Sequence, residues 1–164
     1  MKETIMRKFN VTEATAEALE SRLYDTVYWY CFERDDTAAD YEETIDDLFS
    51  KKLYRCNSCT LNFDLDITNS WNGAEEEFSY LPEEVRAELE TLAEEEETTG
   101  YELYEEIVEE CAWDVYNEKL RDRHENRMLM DAYNYLEYLC ECYNEEIVED
   151  EEDYLTTADF TIHC

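Results

Sequence analysis

Hydrophobic residues recur every three or four positions along much of the chain, which is the spacing of amphipathic helices. Leu19 and Leu23 follow this spacing in one early segment, and Ile45 and Leu48 follow it in the next. We therefore predict N-terminal helices over residues 11–53.

The period changes to two near residue 61, where Leu61, Phe63, Leu65 and Ile67 alternate with polar residues. Strict alternation predicts a half-buried strand. The dipeptide Asn72-Gly73 is a strong hairpin-turn signal, and alternation resumes near residue 78. We predict a hairpin over residues 60–81.

Helical spacing returns after Pro82 and continues to about residue 148, with Gly100 ending one helix and a break near residues 121–127. A last alternating stretch predicts a C-terminal strand over residues 156–163. The predicted fold is a single α+β domain over residues 1–164, mostly helical. Its small antiparallel sheet would contain the hairpin and the last strand, with acidic helices over residues 82–148.

The net charge restricts the possible functions. The chain contains 46 acidic residues and only 13 basic ones, which gives a net charge of −33. Such a chain offers no surface that neutralises phosphates, which excludes direct nucleic-acid binding. The partner should instead be basic. A proteome adapted to high salt could also produce this charge, although seven cysteines and 14 tyrosines are atypical of it.

The acids are arranged in two rows with a spacing of four residues. The first row is Glu102, Glu106, Glu110, Asp114, Glu118 and Asp122, and the second is Glu137, Glu141, Glu145, Glu149 and Asp153. Residues four apart are neighbours on a helix, so each like-charged pair costs roughly 0.2–0.5 kcal/mol. A solvated helix face is the ordinary explanation of a charge run, but such faces usually mix both signs.

Together with adjoining acidic runs, these rows supply the candidate partner-binding residues. They are Glu94, Glu95, Glu102, Glu106, Glu110, Asp114, Glu118, Glu137, Glu141, Glu145, Glu149, Asp150, Glu151, Glu152 and Asp153.

The spacing of the cysteines suggests a zinc site. Cys56 and Cys59 form a CxxC motif, and Cys140 with Cys142, or the terminal His163-Cys164, could complete four ligands. The alternative is that these are free reduced thiols, which is the default without a secretion signal. We expect no metal and no cofactor.

Other chemistry has little support in the sequence. No Ser, Cys or Thr has a general base at a motif spacing, and two glycines exclude a Gly-rich phosphate loop. His124 lies in a charged patch and is expected to be solvated. We expect no catalytic site, no signal peptide and no membrane span, and therefore a cytoplasmic protein.

In composition and acid pattern, the chain resembles the DNA-mimic inhibitors that phages and mobile elements make against restriction enzymes and CRISPR effectors. The resemblance implies a small non-enzymatic protein, monomer or dimer, that occupies the nucleic-acid channel of its target. Tyr135, Tyr138 and Tyr154 would add contact area. The alternatives are an acidic interaction module or chaperone that sequesters a basic protein, and a metal-dependent structural protein.

Overall fold

The computed structural model describes residues 1–51 and 57–164, and most of these residues are helical. The α-helices are α1 (Lys2–Phe9), α2 (Glu13–Tyr28), α3 (Glu42–Ser50), α4 (Ile67–Ser70), α5 (Ala74–Ser79), α6 (Glu83–Glu95), α7 (Gly100–Val115) and α8 (Arg121–Glu146). Two short strands, β1 (Ser58–Thr60) and β2 (Thr161–His163), complete the regular structure of the described residues, together with short 3-10 and π-helical segments.

The chain folds into two compact units that alternate along the sequence. Unit 1 contains residues Met1–Glu33 and Leu65–Arg121, and unit 2 contains Arg34–Asp64 and Asp122–Cys164. That residues 1–164 form a single domain stays a prediction.

Helix α7 lies at the centre of unit 1 and packs against α1, α2, α4, α5 and α6. Its inner side is apolar and fully buried at Ile107, Val108 and Val115. The Thr99 side chain caps its first turn by accepting a hydrogen bond from the backbone N–H of Glu102. The cap determines where α7 begins, and the apolar stripe determines which of its sides faces solvent.

Unit 2 is built around α8, α3 and the two strands. Its core residues are Ile45, Leu48, Leu61, Met128, Ala132, Leu136, Cys140, Phe160 and Ile162. The strands pair in parallel, with Cys59 opposite Ile162. Of the C-terminal strand predicted over residues 156–163, only residues 161–163 form a strand.

The predicted antiparallel hairpin is wrong. Residues 67–79 form α4 and α5, and the strand pair found is parallel. Gly73 has an extended backbone with φ 162°, whereas a tight hairpin turn needs positive φ values in the left-handed region. Three glutamates in the first turn of α5 favour a helix start there, because they complement the positive helix end.

The burial pattern that suggested the strand is nevertheless present. Leu61 and Ile67 are buried, Phe63 and Leu65 are half-buried, and the polar residues between them are exposed. Alternation thus predicted which side chains are buried, but not whether the backbone has a pairing partner.

Helix ends also differ from the predictions. Helix α6 ends at Glu95, and Glu97 rather than a glycine adopts the left-handed conformation, with φ 57°. Gly100 instead begins α7, where a Cβ would lie 2.8 Å from the Phe78 ring and 2.7 Å from the Glu90 side chain. This glycine therefore permits close packing.

Candidate functional site

The first acidic row lies on the outer side of α7 in unit 1. Glu102, Glu106 and Glu110 are exposed and Asp114 is half-buried, while the apolar residues between them face the core. We call the three exposed residues Glu102, Glu106 and Glu110 the α7 ridge.

The row does not continue as one regular helix beyond Asp114. A π-helical segment occupies Tyr116–Leu120, and it replaces the break expected at residues 121–127. Its backbone hydrogen bonds span five residues, so the four-residue spacing no longer keeps side chains in line. Glu118 is exposed but lies within the π-helical segment, and Asp122 is exposed at the start of α8, so neither belongs to α7.

The second row is also shorter than its sequence spacing suggests. Helix α8 ends at Glu146, so only Glu137, Glu141 and Glu145 lie on it, and all three are exposed. We call these the α8 ridge. Glu149 and Asp153 come after the helix, where the chain forms a 3-10 turn at Glu151–Asp153.

The remaining candidate acids are Glu94, Glu95 and the run from Asp150 to Asp153, and they are all exposed. None of the fifteen candidates forms an ion pair with a Lys or Arg among residues 1–51 and 57–164. Fourteen of these carboxylates therefore face water, and no Lys or Arg of the described residues neutralises any of the fifteen.

Other acids of unit 1 are neutralised. Lys2 Nζ donates to Glu13 Oε1 at 2.8 Å and to Glu17 Oε1 at 3.2 Å, and Lys119 Nζ donates to Glu20 Oε1 at 3.0 Å. We call Glu13, Glu17 and Glu20 the paired α2 acids. The hydrogen bond from Lys2 lowers the pKa of Glu13, and that from Lys119 lowers the pKa of Glu20.

Two further pairs are largely or partly buried. In unit 1, Arg22 Nη2 donates to Glu77 Oε2 at 3.1 Å. In unit 2, Arg34 Nη2 donates to Asp40 Oδ1, and both side chains are nearly buried. Burial raises the pKa of Asp40, and the Arg34 charge opposes that rise.

The three candidate contact tyrosines are not equivalent. Tyr138 is 60% exposed and Tyr154 is 43% exposed. Tyr135 is half-buried, and its hydroxyl donates to Asp46 Oδ1 within unit 2. Tyr138 and Tyr154 are therefore accessible to solvent, whereas the hydroxyl of Tyr135 is bound to Asp46 within the fold.

The zinc hypothesis rests partly on Cys56, which lies outside the described residues. Cys140 is buried in the core of unit 2, Cys59 packs against that core, and Cys142 is half-buried. In the described part of the chain, no three His, Cys, Asp or Glu residues gather as metal ligands. A site that uses Cys56 stays a prediction.

The expectation for His124 is wrong, because its side chain is only 1% exposed. It packs edge-on against Phe63, with ring centroids 4.3 Å apart. Burial lowers its pKa to about 4, and the Arg34 charge adds to this effect. The sequence signal was misleading because the residues just before His124, Asp122 and Arg123, are charged and exposed.

Within residues 1–51 and 57–164, no helix combines the length and the apolar character needed to cross a membrane. Comparison with protein-family models, with curated proteins and with solved structures finds no match to this chain.

Proposed function

We propose that the protein is a non-enzymatic inhibitor that imitates nucleic-acid phosphates and blocks the DNA- or RNA-binding surface of a host defence nuclease. The target would be a CRISPR effector or a restriction enzyme in the bacterial cytoplasm. The observation that carries the proposal is the exposure of fourteen of the fifteen candidate acids, without a basic partner for any of them in the described chain.

The spacing of the ridges suits this role. Residues four apart rise about 6 Å along a helix. Phosphates of one DNA strand rise about 3.4 Å per step along the duplex axis and lie further apart along the winding backbone. A rigid helix that holds Glu102, Glu106 and Glu110 outward can therefore present charge at roughly the density of a phosphate chain.

The energetics favour an external partner over a purely structural role. Three like-charged neighbouring pairs between Glu102 and Asp114 cost on the order of 1 kcal/mol of folding free energy in total. Pairing with Lys or Arg of a target would remove this repulsion and replace the phosphates that those bases normally hold. Binding should weaken as salt increases, as protein–DNA binding does.

The chain offers a matched pair of variants to test the proposal. Replacing the α7 ridge by glutamine, E102Q/E106Q/E110Q, removes three charges from unpaired acids. Replacing the paired α2 acids, E13Q/E17Q/E20Q, removes the same charge from the same unit where Lys2 and Lys119 already neutralise it. Glutamine keeps the side-chain shape and a good helix propensity.

The measurement is displacement of fluorescent DNA from a panel of guide-loaded CRISPR effectors and restriction enzymes, as each variant is added. We expect the α7 variant to need at least about tenfold more protein, because each lost charge pair at an interface is worth roughly 1–3 kcal/mol. The α2 control should act at nearly the wild-type concentration.

The α8 ridge is tested in the same way with E137Q/E141Q/E145Q, which shows whether it contributes to the contact. If the wild-type protein displaces DNA from no member of the panel, the inhibitor hypothesis fails for these targets. If it binds a member but leaves the DNA in place, the acidic interaction module is the better explanation. Equal potency of the α7 variant and the wild type would make that ridge an ordinary solvated face.

A further inference from the structure

Two large apolar side chains are exposed on the solvent side of helix α8. Tyr138 is 60% exposed, and Met130, about two turns earlier in the helix, is 53% exposed. A single exposed apolar residue is ordinary on a protein surface. Tyrosine is also enriched at interfaces, because its ring offers a large apolar area with a polar tip. What surrounds Tyr138 therefore decides whether its exposure indicates a binding surface.

Carboxylates of the α8 ridge surround Tyr138. Glu141 follows it by three residues and Glu145 by seven, so both are its neighbours along this side of the helix, while Leu136 and Cys140 face the core. No Lys or Arg of the described chain pairs with the ridge, and no guanidinium or other ring of that part of the chain lies against the Tyr138 ring. This face thus combines an exposed aromatic ring with uncompensated carboxylates.

Unit 1 contains the same combination together with an arginine. Glu77 and Tyr80 are also three residues apart, in the opposite order. Arg22 contacts both: its guanidinium carbon lies 5.6 Å from the centre of the Tyr80 ring, and its Nη2 donates to Glu77 Oε2 at 3.1 Å. Arg121 likewise lies 5.7 Å from the centre of the Tyr116 ring. A guanidinium suits such a place better than an ammonium, because it is planar, stacks on rings and bonds carboxylates through two N–H groups.

We propose that this face of α8 binds an arginine side chain of the basic partner, with the guanidinium stacked on Tyr138 and paired with Glu141. Glu137 and Glu145 would attract further bases, and Met130 would contact the aliphatic part of the same segment. A second copy of the chain is disfavoured here, because both copies carry a charge of −33. The inference rests on the proposed function only in requiring a basic partner, and it adds that arginine rather than lysine is recognised at this place.

NMR spectroscopy of the full wild-type chain tests the proposal with two probes, a peptide of four arginines and a peptide of four lysines. At about 0.15 M salt, charges more than roughly 8 Å apart are largely screened. We expect nuclear Overhauser contacts between the Tyr138 ring and the arginine δ-protons, and tighter binding of the arginine peptide at the amide of Glu145. Tyr80 is the internal control, because it is 57% exposed but already covered by Arg22. No contact at Tyr138, equal contacts at Tyr80, or equal affinity for both peptides would each overturn the proposal.

Three variants separate the ring from its hydroxyl and from its position. Y138L keeps an apolar side chain and a good helix propensity but lacks the ring, so the arginine peptide should bind about two- to fivefold more weakly at the Glu145 amide. Y138F keeps the ring and should bind like the wild type, as should the matched control Y80L. Equal binding by Y138L and the wild type, or an equal loss in Y138F, would overturn the proposal. The contacts observed in the wild type decide the question if Y138L does not fold.

The peptide measurements use no nuclease, so their outcome is independent of the DNA-displacement assay. Arginine binding at Tyr138 without displacement of DNA from any member of the panel would support this inference and count against the inhibitor role. Displacement of DNA by the wild type, with no arginine contact at Tyr138, would support the inhibitor role and overturn this inference.

Discussion

Two sets of three glutamates in unit 1 differ in whether the chain supplies them with basic partners. The paired α2 acids and the α7 ridge both lie on helices that pack into the same core. The α2 acids are neutralised by Lys2 and Lys119, whereas the α7 ridge has no basic partner in the described chain. Lys2 connects α1 to α2, and Lys119 connects the π-helical segment to α2, so these two bases lie where they join elements of the fold.

Unit 2 also contains both paired and unpaired acids. Arg34 pairs with the nearly buried Asp40, and the Tyr135 hydroxyl donates a hydrogen bond to Asp46. The α8 ridge, in contrast, faces water without such partners among the described residues. Asp47 and Asp131 of unit 2 are also paired, with Lys51 and Arg127, so the α8 ridge differs from these acids in having no basic partner among the described residues.

The largest effect should come from breaking the buried pair of unit 2. In R34M, the Asp40 carboxylate would remain buried without its cation, which costs roughly 3–5 kcal/mol. We expect the Tm to fall on the order of 10 °C. The double variant R34M/D40N should recover part of this loss. A Tm of R34M within about 2 °C of the wild type would show that the pair is not needed for folding.

The next largest effect should be a loss of stability in acid that is due to His124. The unfolded chain takes up a proton at this residue as the pH falls below about 6.5, whereas the folded protein does so only near pH 4. Protonation of His124 therefore leaves the free energy of unfolding unchanged above pH 6.5. As the pH falls towards 4, it lowers the free energy of unfolding by up to about 3 kcal/mol.

Melts between pH 7 and pH 4 check this, with H124F as the control because phenylalanine keeps a ring beside Phe63 but cannot titrate. The raised pKa of Asp40 works in the opposite direction at low pH, so the difference between the two proteins is the relevant quantity. Parallel curves for wild type and H124F would contradict the assignment to His124.

The smallest effect sharpens the comparison between the two glutamate sets. E102Q/E106Q/E110Q should raise the Tm by roughly 2–4 °C in low salt, because it removes three like-charged neighbouring pairs. E13Q/E17Q/E20Q should lower the Tm or leave it unchanged, because Lys2 and Lys119 lose their partners.

At about 1 M salt the Debye length falls to roughly 3 Å, and the gain of the α7 variant should disappear. A gain that persists in high salt would come from something other than charge repulsion. If both triple variants gain equally, the paired and unpaired acids do not differ as the structure indicates.

The sequence by itself determined the approximate positions of α2, α3, α6, α7 and α8, their buried sides and the outward direction of most acids, but it missed α1, α4 and α5. These features depend on local spacing, and a stripe such as Ile107 with Val115 leaves only one side of α7 for its glutamates. It also determined the alternating burial from Leu61 to Ile67, since apolar side chains seek a core in any backbone conformation.

Only the tertiary structure decided which backbone segments pair and which charges meet. Strand β1 pairs with β2 from the far end of the chain, and Lys119 reaches Glu20 across 99 positions, so no local pattern encodes either contact. The π-helical segment at Tyr116–Leu120 likewise ended the first row, although the four-residue spacing continues unbroken in the sequence. A spacing of charges becomes a surface only where the helix is regular, and whether a charge is neutralised depends on residues distant in the sequence.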